Sequence, residues 1–154
     1  MTAPNTADGL VIQGFTPPLA LADFRLIAFD MDSTLINIEC IDEIADAAGR
    51  KAEVAAITEA AMRGEITDYK ESLRRRVSLL AGVPAHALEE VYQQRLRFNP
   101  GARELVQACQ NAGMHTLLVS GGFTYFTDRV RDTLGLNFTR SNIFEIENGR
   151  LTDR

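Results

Sequence analysis

Residues Leu26 to Leu35 read L-I-A-F-D-M-D-S-T-L, an apolar run that stops at two carboxylates with one residue between them. The first four residues have the length and character of a strand that is buried on both faces of a parallel sheet. Asp30 and Asp32 then stand at the carboxyl end of that strand. Ligands of open α/β sheets bind in the crevice outside the carboxyl ends of the strands, so both acids are candidates for chemistry.

A second strand with a polar end is predicted later in the chain. Thr116 to Val119 is apolar and strand-like, and Ser120, Gly121 and Gly122 follow it before a helix that is expected to carry Phe123. The unpaired N–H groups at the start of a helix favour an anion, and glycines allow the anion to approach closely. The order strand, hydroxyl, glycines, helix therefore predicts a phosphate site.

The sequence between these two loops has helical periodicity. Four amphipathic segments lie between Glu39 and Arg97, although a right-handed crossover needs only one helix. We therefore expect an inserted helical subdomain above the strand ends, in a protein of the α/β class with a Rossmann-like parallel-sheet core. The expected division is a flexible N-terminal segment at 1–24, an α/β core at 25–38 and 98–154, and a helical cap at 39–97.

Two signals organise the chain after the cap. Asn99 is expected to cap a helix that runs through Ala112, with Gly113 as its stop. Near the end, Asn148 and Gly149 lie between the segments Ile143 to Ile146 and Arg150 to Thr152 and predict a β-hairpin.

The composition is that of one ordinary globular domain. The 154 residues are 45% hydrophobic and 24% charged, and no apolar run approaches a membrane span. The net charge of −5 argues against nucleic acid as a partner. Neither a nucleic acid nor a membrane is therefore an expected partner. The first residues lack the basic region of a secretory signal, so the cytoplasm is the expected location.

The D-x-D-x-T pattern suits phosphoryl transfer. The Asp30 carboxylate can attack phosphorus to give an aspartyl-phosphate, while Asp32 protonates the leaving oxygen and later activates water. Two carboxylates facing a phosphate require a hard cation, for which Mg²⁺ is the natural choice. Ser120, Thr34 and the N–H of Gly121 would hold the phosphate oxygens.

Other interpretations of these patterns remain open at this point. An isolated D-x-D at a strand end is more often a turn or a helix cap, and the same pattern can hold a nucleotide sugar in metal-dependent glycosyltransferases. The run Arg74 to Arg76 is compatible with a solvated face or a nucleic-acid patch, and a solvated face is the default for a bare run of charge. The second strand that ends in S-G-G makes a phosphate site the better account.

Four segments resemble phosphoserine phosphatases of the haloacid dehalogenase superfamily. The similarity extends from about Leu26 to Thr152, and its motifs are F-D-M-D-S-T-L, E-C-I-D-E-I-A, S-L-R-R-R-V-S-L-L and V-S-G-G-F. The resemblance implies hydrolysis of O-phosphoserine to serine and phosphate with Mg²⁺ as cofactor.

The resemblance also implies a role for each matching residue. Asp30 would be the nucleophile and a metal ligand, and Asp32 would be the acid/base and offer its main-chain carbonyl to the metal. The implied substrate contacts are Glu39 to the amino group, Arg76 to the carboxylate, Ser120 and Gly121 to the phosphate, and Met62 and Tyr69 from the cap. The family commonly has Phe where this chain has Tyr69.

Two further motifs of the family, a lysine and a G-D-G-x-N-D loop, do not occur in the 154 residues. The expectation that follows is a partial sheet in which the strand ending at Asp30 lacks one neighbour and offers its edge for a homodimer. The alternative function is a weak or inactive phosphatase that serves as a phosphate-binding or dimerising module.

Overall fold

The computed structural model describes residues 13–14 and 18–154, so residues 1–12 and 15–17 of the predicted flexible segment 1–24 lie outside it. A 3₁₀ turn over Leu21–Asp23 precedes the first strand. The strands are β1 (Leu26–Phe29), β2 (His115–Phe123), β3 (Phe138–Asn142), β4 (Ile146–Glu147) and β5 (Arg150–Leu151). The helices are α1 (Cys40–Ala47), α2 (Lys51–Met62), α3 (Tyr69–Ser78), α4 (His86–Glu90), α5 (Ala102–Asn111) and α6 (Thr124–Leu134).

The centre of the fold is a parallel sheet in the order β1-β2-β3. Leu26 pairs with His115 and Phe29 with Leu118, while β3 runs beside β2 from the pair formed by Leu117 and Phe138. Helices α5 and α6 provide the crossovers between the strands and pack against β2. The predicted α/β class with a parallel-sheet core is thus confirmed.

The prediction that β1 is buried on both faces was wrong. Phe29 is buried, but Leu26 is 51% exposed and Ala28 is exposed as well. The reason is position, because within the described residues β1 pairs with β2 alone and forms the edge of the sheet. An apolar run of four residues is equally compatible with either position.

The helical segment between the two loops leaves and rejoins the sheet at one place, which we call the neck. There the N–H of Asn37 donates to the carbonyl of Arg97 at 3.0 Å, and the N–H of Arg97 donates to Oδ1 of Asn37 at 2.7 Å. An antiparallel bridge between Ile36 and Phe98 extends this pairing. The boundaries 38/39 and 97/98 that we predict for a cap fall beside the neck, and the assignment of a separate cap stays a prediction.

The hairpin formed by β4 and β5 ties the end of the described chain to the helical segment. Asn148 and Gly149 form its turn, both with positive φ (50° and 73°). The N–H of Gly82 donates to the carbonyl of Leu151 at 2.8 Å, and the N–H of Leu151 donates to Val83 at 2.9 Å. The sequence predicts the hairpin, but its docking on the turn between α3 and α4 is not visible in the sequence.

One hydrophobic core joins the sheet and the helical segment. Its buried members include Phe29 of β1, Ile44 of α1, Leu88 of α4 and Phe126 of α6. None of the helices in the described part of the chain is long and apolar enough to cross a membrane.

Two predicted helix starts were wrong. Helix α5 begins at Ala102 after Gly101, whose φ of 84° is left-handed, so Asn99 does not cap it. The Asn99 amide instead donates to the carbonyls of Thr34 at 2.8 Å and Ile36 at 3.0 Å. Helix α6 begins at Thr124, and Phe123 belongs to the extended end of β2 (φ −130°, ψ 149°).

Candidate active site

A pocket of about 230 Å³ opens where β1 and β2 end, and α3 forms its opposite wall. Both polar loops and the helical segment contribute to its lining. The sequence-predicted residues that line it are Asp30, Asp32, Glu39, Tyr69, Arg76, Ser120 and Gly121, and the other lining residues are Ile41, Leu73, Gly122 and Phe123.

The loop after β1 directs two carboxylates into this pocket. Asp30 is extended (φ −78°, ψ 161°), Met31 is fully buried and Asp32 is again extended (φ −64°, ψ 134°). The Met31 side chain anchors the loop in the core, while Asp30 and Asp32 on either side of it line the pocket. Ser33 (φ 52°) turns the chain in the left-handed region, and the N–H of Ile36 closes the turn onto the carbonyl of Met31 at 3.1 Å.

Asp32 is held as a poorly solvated carboxyl group. Its Oδ2 accepts the N–H of Cys40 at 3.3 Å, while its Oδ1 is buried and has no hydrogen-bond partner among the described residues. Burial is the main cause that raises the pKa of Asp32 to about 6, and the charges of Glu39 and Asp30 add to it against the Cys40 hydrogen bonds. This group therefore exchanges its proton much closer to neutral pH than an ordinary aspartate does.

Two hydroxyls follow Asp32 in the sequence, and each hydrogen-bonds to a carboxylate. Thr34 does not line the pocket; its Oγ1 donates to Oδ2 of Asp30 at 3.4 Å. Ser33 donates from Oγ to Oε1 of Glu39 at 2.6 Å and so orients that carboxylate at the start of α1. Sequence reasoning missed Ser33, for which no signal existed beyond its place within the motif.

The second loop is an irregular extension of β2. The pairing with β3 shifts register between Val119 and Phe123, which takes Ser120 to Gly122 out of the regular ladder. The buried Ser120 accepts the N–H of Gly122 on its Oγ at 2.9 Å. The expected helix N-terminus is displaced, because α6 starts only at Thr124 and the S-G-G backbone is extended.

The two loops pack directly on each other at Gly122. A Cβ at this position would lie 3.0 Å from Oγ of Ser120, 3.1 Å from Cε of Met31 and 3.7 Å from Oδ2 of Asp32. A side chain at position 122 would therefore require Ser120 or Met31 to shift by a few tenths of an ångström. Asn142 of β3, another residue that sequence reasoning missed, donates to the carbonyl of Gly121 at 2.9 Å and anchors the loop from the side.

Only one member of the arginine run lines the pocket. Arg75 pairs with Glu71 on the exposed surface at 2.7 Å, whereas Arg76 is half-buried and its Nε is buried without a hydrogen-bond partner in the described chain. Burial raises the pKa of Asp42, and the charge of Glu39 raises it further while Arg76 opposes the shift. Glu39 and Arg76 both line the pocket, so its wall carries one negative and one positive group.

Met62 is the predicted site residue that the structure separates most clearly from the pocket. It is the last residue of α2, is 84% exposed and lines a neighbouring groove. Tyr69 and Arg76 line both spaces, so they form the wall between groove and pocket.

The chain matches the family model of haloacid dehalogenase-like hydrolases over residues 27–154. The chain belongs to this family. The haloacid dehalogenase-like match includes both loops and the whole helical segment between them.

Two similar proteins within this family are named phosphoserine phosphatases. This chain is 72% identical to a phosphoserine phosphatase of Albidiferax ferrireducens over 148 residues, which are 96% of this chain and 62% of that protein. A phosphoserine phosphatase of Polaromonas sp. is 68% identical over 100% of this chain and 65% of its own length. The chain thus spans less than two thirds of these curated relatives.

Solved structures of phosphoserine phosphatase share the fold. A substrate-bound complex matches with a TM-score of 0.78 and 39% identity, over 84% of this chain and 61% of that one. A phospho-aspartyl intermediate analogue matches with a TM-score of 0.78 and 40% identity, over 85% of this chain and 62% of that one.

Proposed function

We propose that this protein hydrolyses phosphomonoesters, with O-phosphoserine as substrate and serine and phosphate as products. The observation that carries the proposal is one pocket in which Asp30, Asp32 and the loop of Ser120 and Gly121 face Glu39 and Arg76. The phosphoserine phosphatase names of similar proteins support the substrate. They do not favour the alternative of a phosphate-binding or dimerising module without turnover.

The reaction proceeds in two steps on Asp30. Its carboxylate oxygen forms a bond to phosphorus, the bond from phosphorus to the serine oxygen breaks, and Asp32 gives its proton to that oxygen. Asp32 then accepts a proton from water, whose oxygen attacks phosphorus, releases phosphate and restores Asp30. A pKa of about 6 supports Asp32 in both roles, because the group exchanges its proton near neutral pH.

The zwitterionic end of the substrate fits the charged wall of the pocket. Glu39, which is held by Ser33, would accept hydrogen bonds from the ammonium group. The guanidinium of Arg76, with its unpaired Nε, would donate to the carboxylate. Ser120 and the N–H of Gly121 would donate to phosphate oxygens, whereas the Thr34 hydroxyl, which lies outside the pocket lining, would orient Asp30.

The donor set at Asp30 and Asp32 fits Mg²⁺ bound together with substrate. No cluster of three acidic, histidine or cysteine side chains exists in the described residues, but Mg²⁺ commonly uses one or two carboxylates, its own waters and substrate phosphate. The orphaned Oδ1 of Asp32 marks an oxygen-rich spot that a cation would favour. The Asp30 carboxylate and the main-chain carbonyl of Asp32 would hold the ion, which would neutralise charge on the phosphate oxygens.

The decisive experiment is phosphate release from a panel of phosphomonoesters with Mg²⁺ present. We expect the highest kcat/KM for O-phosphoserine, and a fall of at least roughly 10³-fold in kcat for Asp30→Asn. Asp132→Asn, on the exposed face of α6, is the matched control. Equal turnover of phosphoserine and of esters without an amino group would remove the proposed substrate.

The outer edge of β1 is our proposed surface for a homodimer. Within residues 18–154 its backbone pairs with β2 alone, and Leu26 is exposed beside it. Sedimentation analysis should give a dimer that Leu26→Lys converts to monomer. A monomeric wild-type chain at high micromolar concentration would contradict this.

A further inference from the structure

The hydroxyl of Tyr69 lies directly over Gly121. A Cβ built on Gly121 would clash with this oxygen and lie 3.4 Å from Cζ of the same ring, and apart from the two chain neighbours no other atom of the described residues comes within 4 Å. The φ of Gly121 is not positive, so the backbone itself would accept alanine. Tyr69 is therefore what occupies the space of a side chain at position 121.

This hydroxyl is available for a ligand. The chain has three tyrosines; the Tyr92 hydroxyl hydrogen-bonds to Thr133 and the Tyr125 hydroxyl donates to Glu89. No hydrogen bond to the Tyr69 hydroxyl is present in the described chain, although its ring lines the pocket. A phenolic hydroxyl over a phosphate-binding glycine can donate to a phosphate oxygen without adding charge.

Helix α3 couples this hydroxyl to the charged end of the pocket. Tyr69, Leu73 and Arg76 lie four and three residues apart, which places them on one face, and all three line the pocket. The start of α3 is fixed because Oδ1 of Asp68 accepts the N–H of Lys70 at 2.9 Å. Tyr69 and Arg76 are thus about 10 Å apart along one rigid helix.

We propose that the Tyr69 hydroxyl donates a hydrogen bond to the substrate phosphate above Gly121, so that one helix reads both ends of the substrate. Arg76 binds the carboxylate end, and the same position of α3 brings the Tyr69 hydroxyl to the phosphate end. The inference rests on the proposed function for the presence of a phosphate. It assigns a polar role to a residue whose aromatic ring alone would only shield the pocket.

Binding of inorganic phosphate tests this role without requiring turnover. The chain has no tryptophan, so intrinsic tyrosine fluorescence or calorimetry can follow a phosphate titration of the full chain with Mg²⁺. We expect Tyr69→Phe to weaken phosphate binding about 10-fold, the effect of losing one hydrogen bond to a charged group. Tyr92→Phe removes the same atom from a tyrosine outside the pocket and should leave binding unchanged.

Tyr69→Phe should fold normally, because the ring is 57% exposed and is retained. Phosphate binding within twofold of wild type in Tyr69→Phe would overturn the proposal, and so would an equal loss in Tyr92→Phe.

The clash at Gly121 provides a second, independent test. Gly121→Ala should weaken phosphate binding in the wild-type background, since the new methyl group displaces the Tyr69 hydroxyl. In the Tyr69→Phe background the same substitution should weaken phosphate binding much less, because the clashing oxygen is absent. Equal losses in both backgrounds would overturn the contact between Tyr69 and Gly121.

Failure of the substrate assignment gives a different pattern. If phosphoserine is not preferred but Tyr69→Phe still weakens phosphate binding, the substrate proposal falls and the role of Tyr69 stands. If phosphoserine is preferred and Tyr69→Phe binds phosphate like wild type, the role of Tyr69 falls alone.

Discussion

The carboxylate oxygens in this pocket differ in whether they accept a hydrogen bond. Asp32 keeps one buried oxygen without a partner, whereas Glu39 is held at 2.6 Å by Ser33. Sequence motifs identify both carboxylates, but the protonation of Asp32 and the orientation of Glu39 depend on neighbours that only folding brings together. The same two residues therefore give predictions about charge and about recognition.

Asp32 should make stability depend on pH. Its pKa is raised from an ordinary value of about 3.8 to about 6, so between these values the folded state binds more protons than the unfolded state. The contribution of Asp32 to the free energy of unfolding therefore decreases as pH rises from about 3.8 to about 6. Asp32→Asn removes that effect, and its stability relative to wild type should rise from pH 4 to pH 7 by up to roughly 3 kcal/mol.

Urea unfolding in the presence of a chelator would measure this difference. Asp132→Asn, at an exposed position, provides the control, and its difference from wild type should change much less over the same range. A pH-independent difference for Asp32→Asn would contradict burial as the cause.

Ser33 should contribute to recognition of the amino group. Ser33→Ala removes the hydroxyl that orients Glu39, so we expect KM for phosphoserine to rise several-fold, about the effect of one hydrogen bond, with little change in kcat. An ester without the amino group should show no such rise. Ser78→Ala on α3, whose hydroxyl caps only its own helix, is the control.

Elements reach the pocket through backbone features that sequence patterns reveal only in part. The β1 loop, the S-G-G loop and the helical segment could be predicted, because apolar periodicity and turn residues are local signals. The extended conformation of Phe123 and the true role of Asn99 could not, since each depends on a partner far along the chain. A polar residue before a helix predicts a cap, but Asn99 satisfies the carbonyls of Thr34 and Ile36 instead.

Asn99→Ala tests this link between α5 and the β1 loop. Loss of two hydrogen bonds to main-chain carbonyls should lower the free energy of unfolding by about 1–2 kcal/mol and reduce turnover, because the loop that carries Asp30 is anchored there. Asn111→Ala, at the exposed end of α5, should change neither. Normal stability and activity of Asn99→Ala would show that the anchor is dispensable.

At the scale of the whole molecule, the helical segment is attached by more than the neck. The hairpin places Leu151 against the turn between α3 and α4 through backbone hydrogen bonds to Gly82 and Val83, and the Leu151 side chain is buried. The helical segment, which includes α3, is therefore attached to the rest of the protein both at the neck and at the hairpin.

Leu151→Ala should weaken this attachment. A buried leucine truncated to alanine costs about 2–5 kcal/mol, and we expect a loss in this range by urea unfolding. Leu105→Ala, at a half-exposed position on α5, should cost less than about 1 kcal/mol. Similar losses for the two variants would show that the hairpin adds little.

The neck also has a consequence for how the protein is made. Asn37 and Arg97 are 60 residues apart in sequence, and the strand that pairs with β1 within the described residues begins still later, at His115. At about 5–20 residues per second, a ribosome needs several seconds to roughly 20 seconds between completing β1 and completing its partner. During that interval the helical segment can form its local contacts, while the apolar residues of β1 remain unpaired and exposed to chaperones.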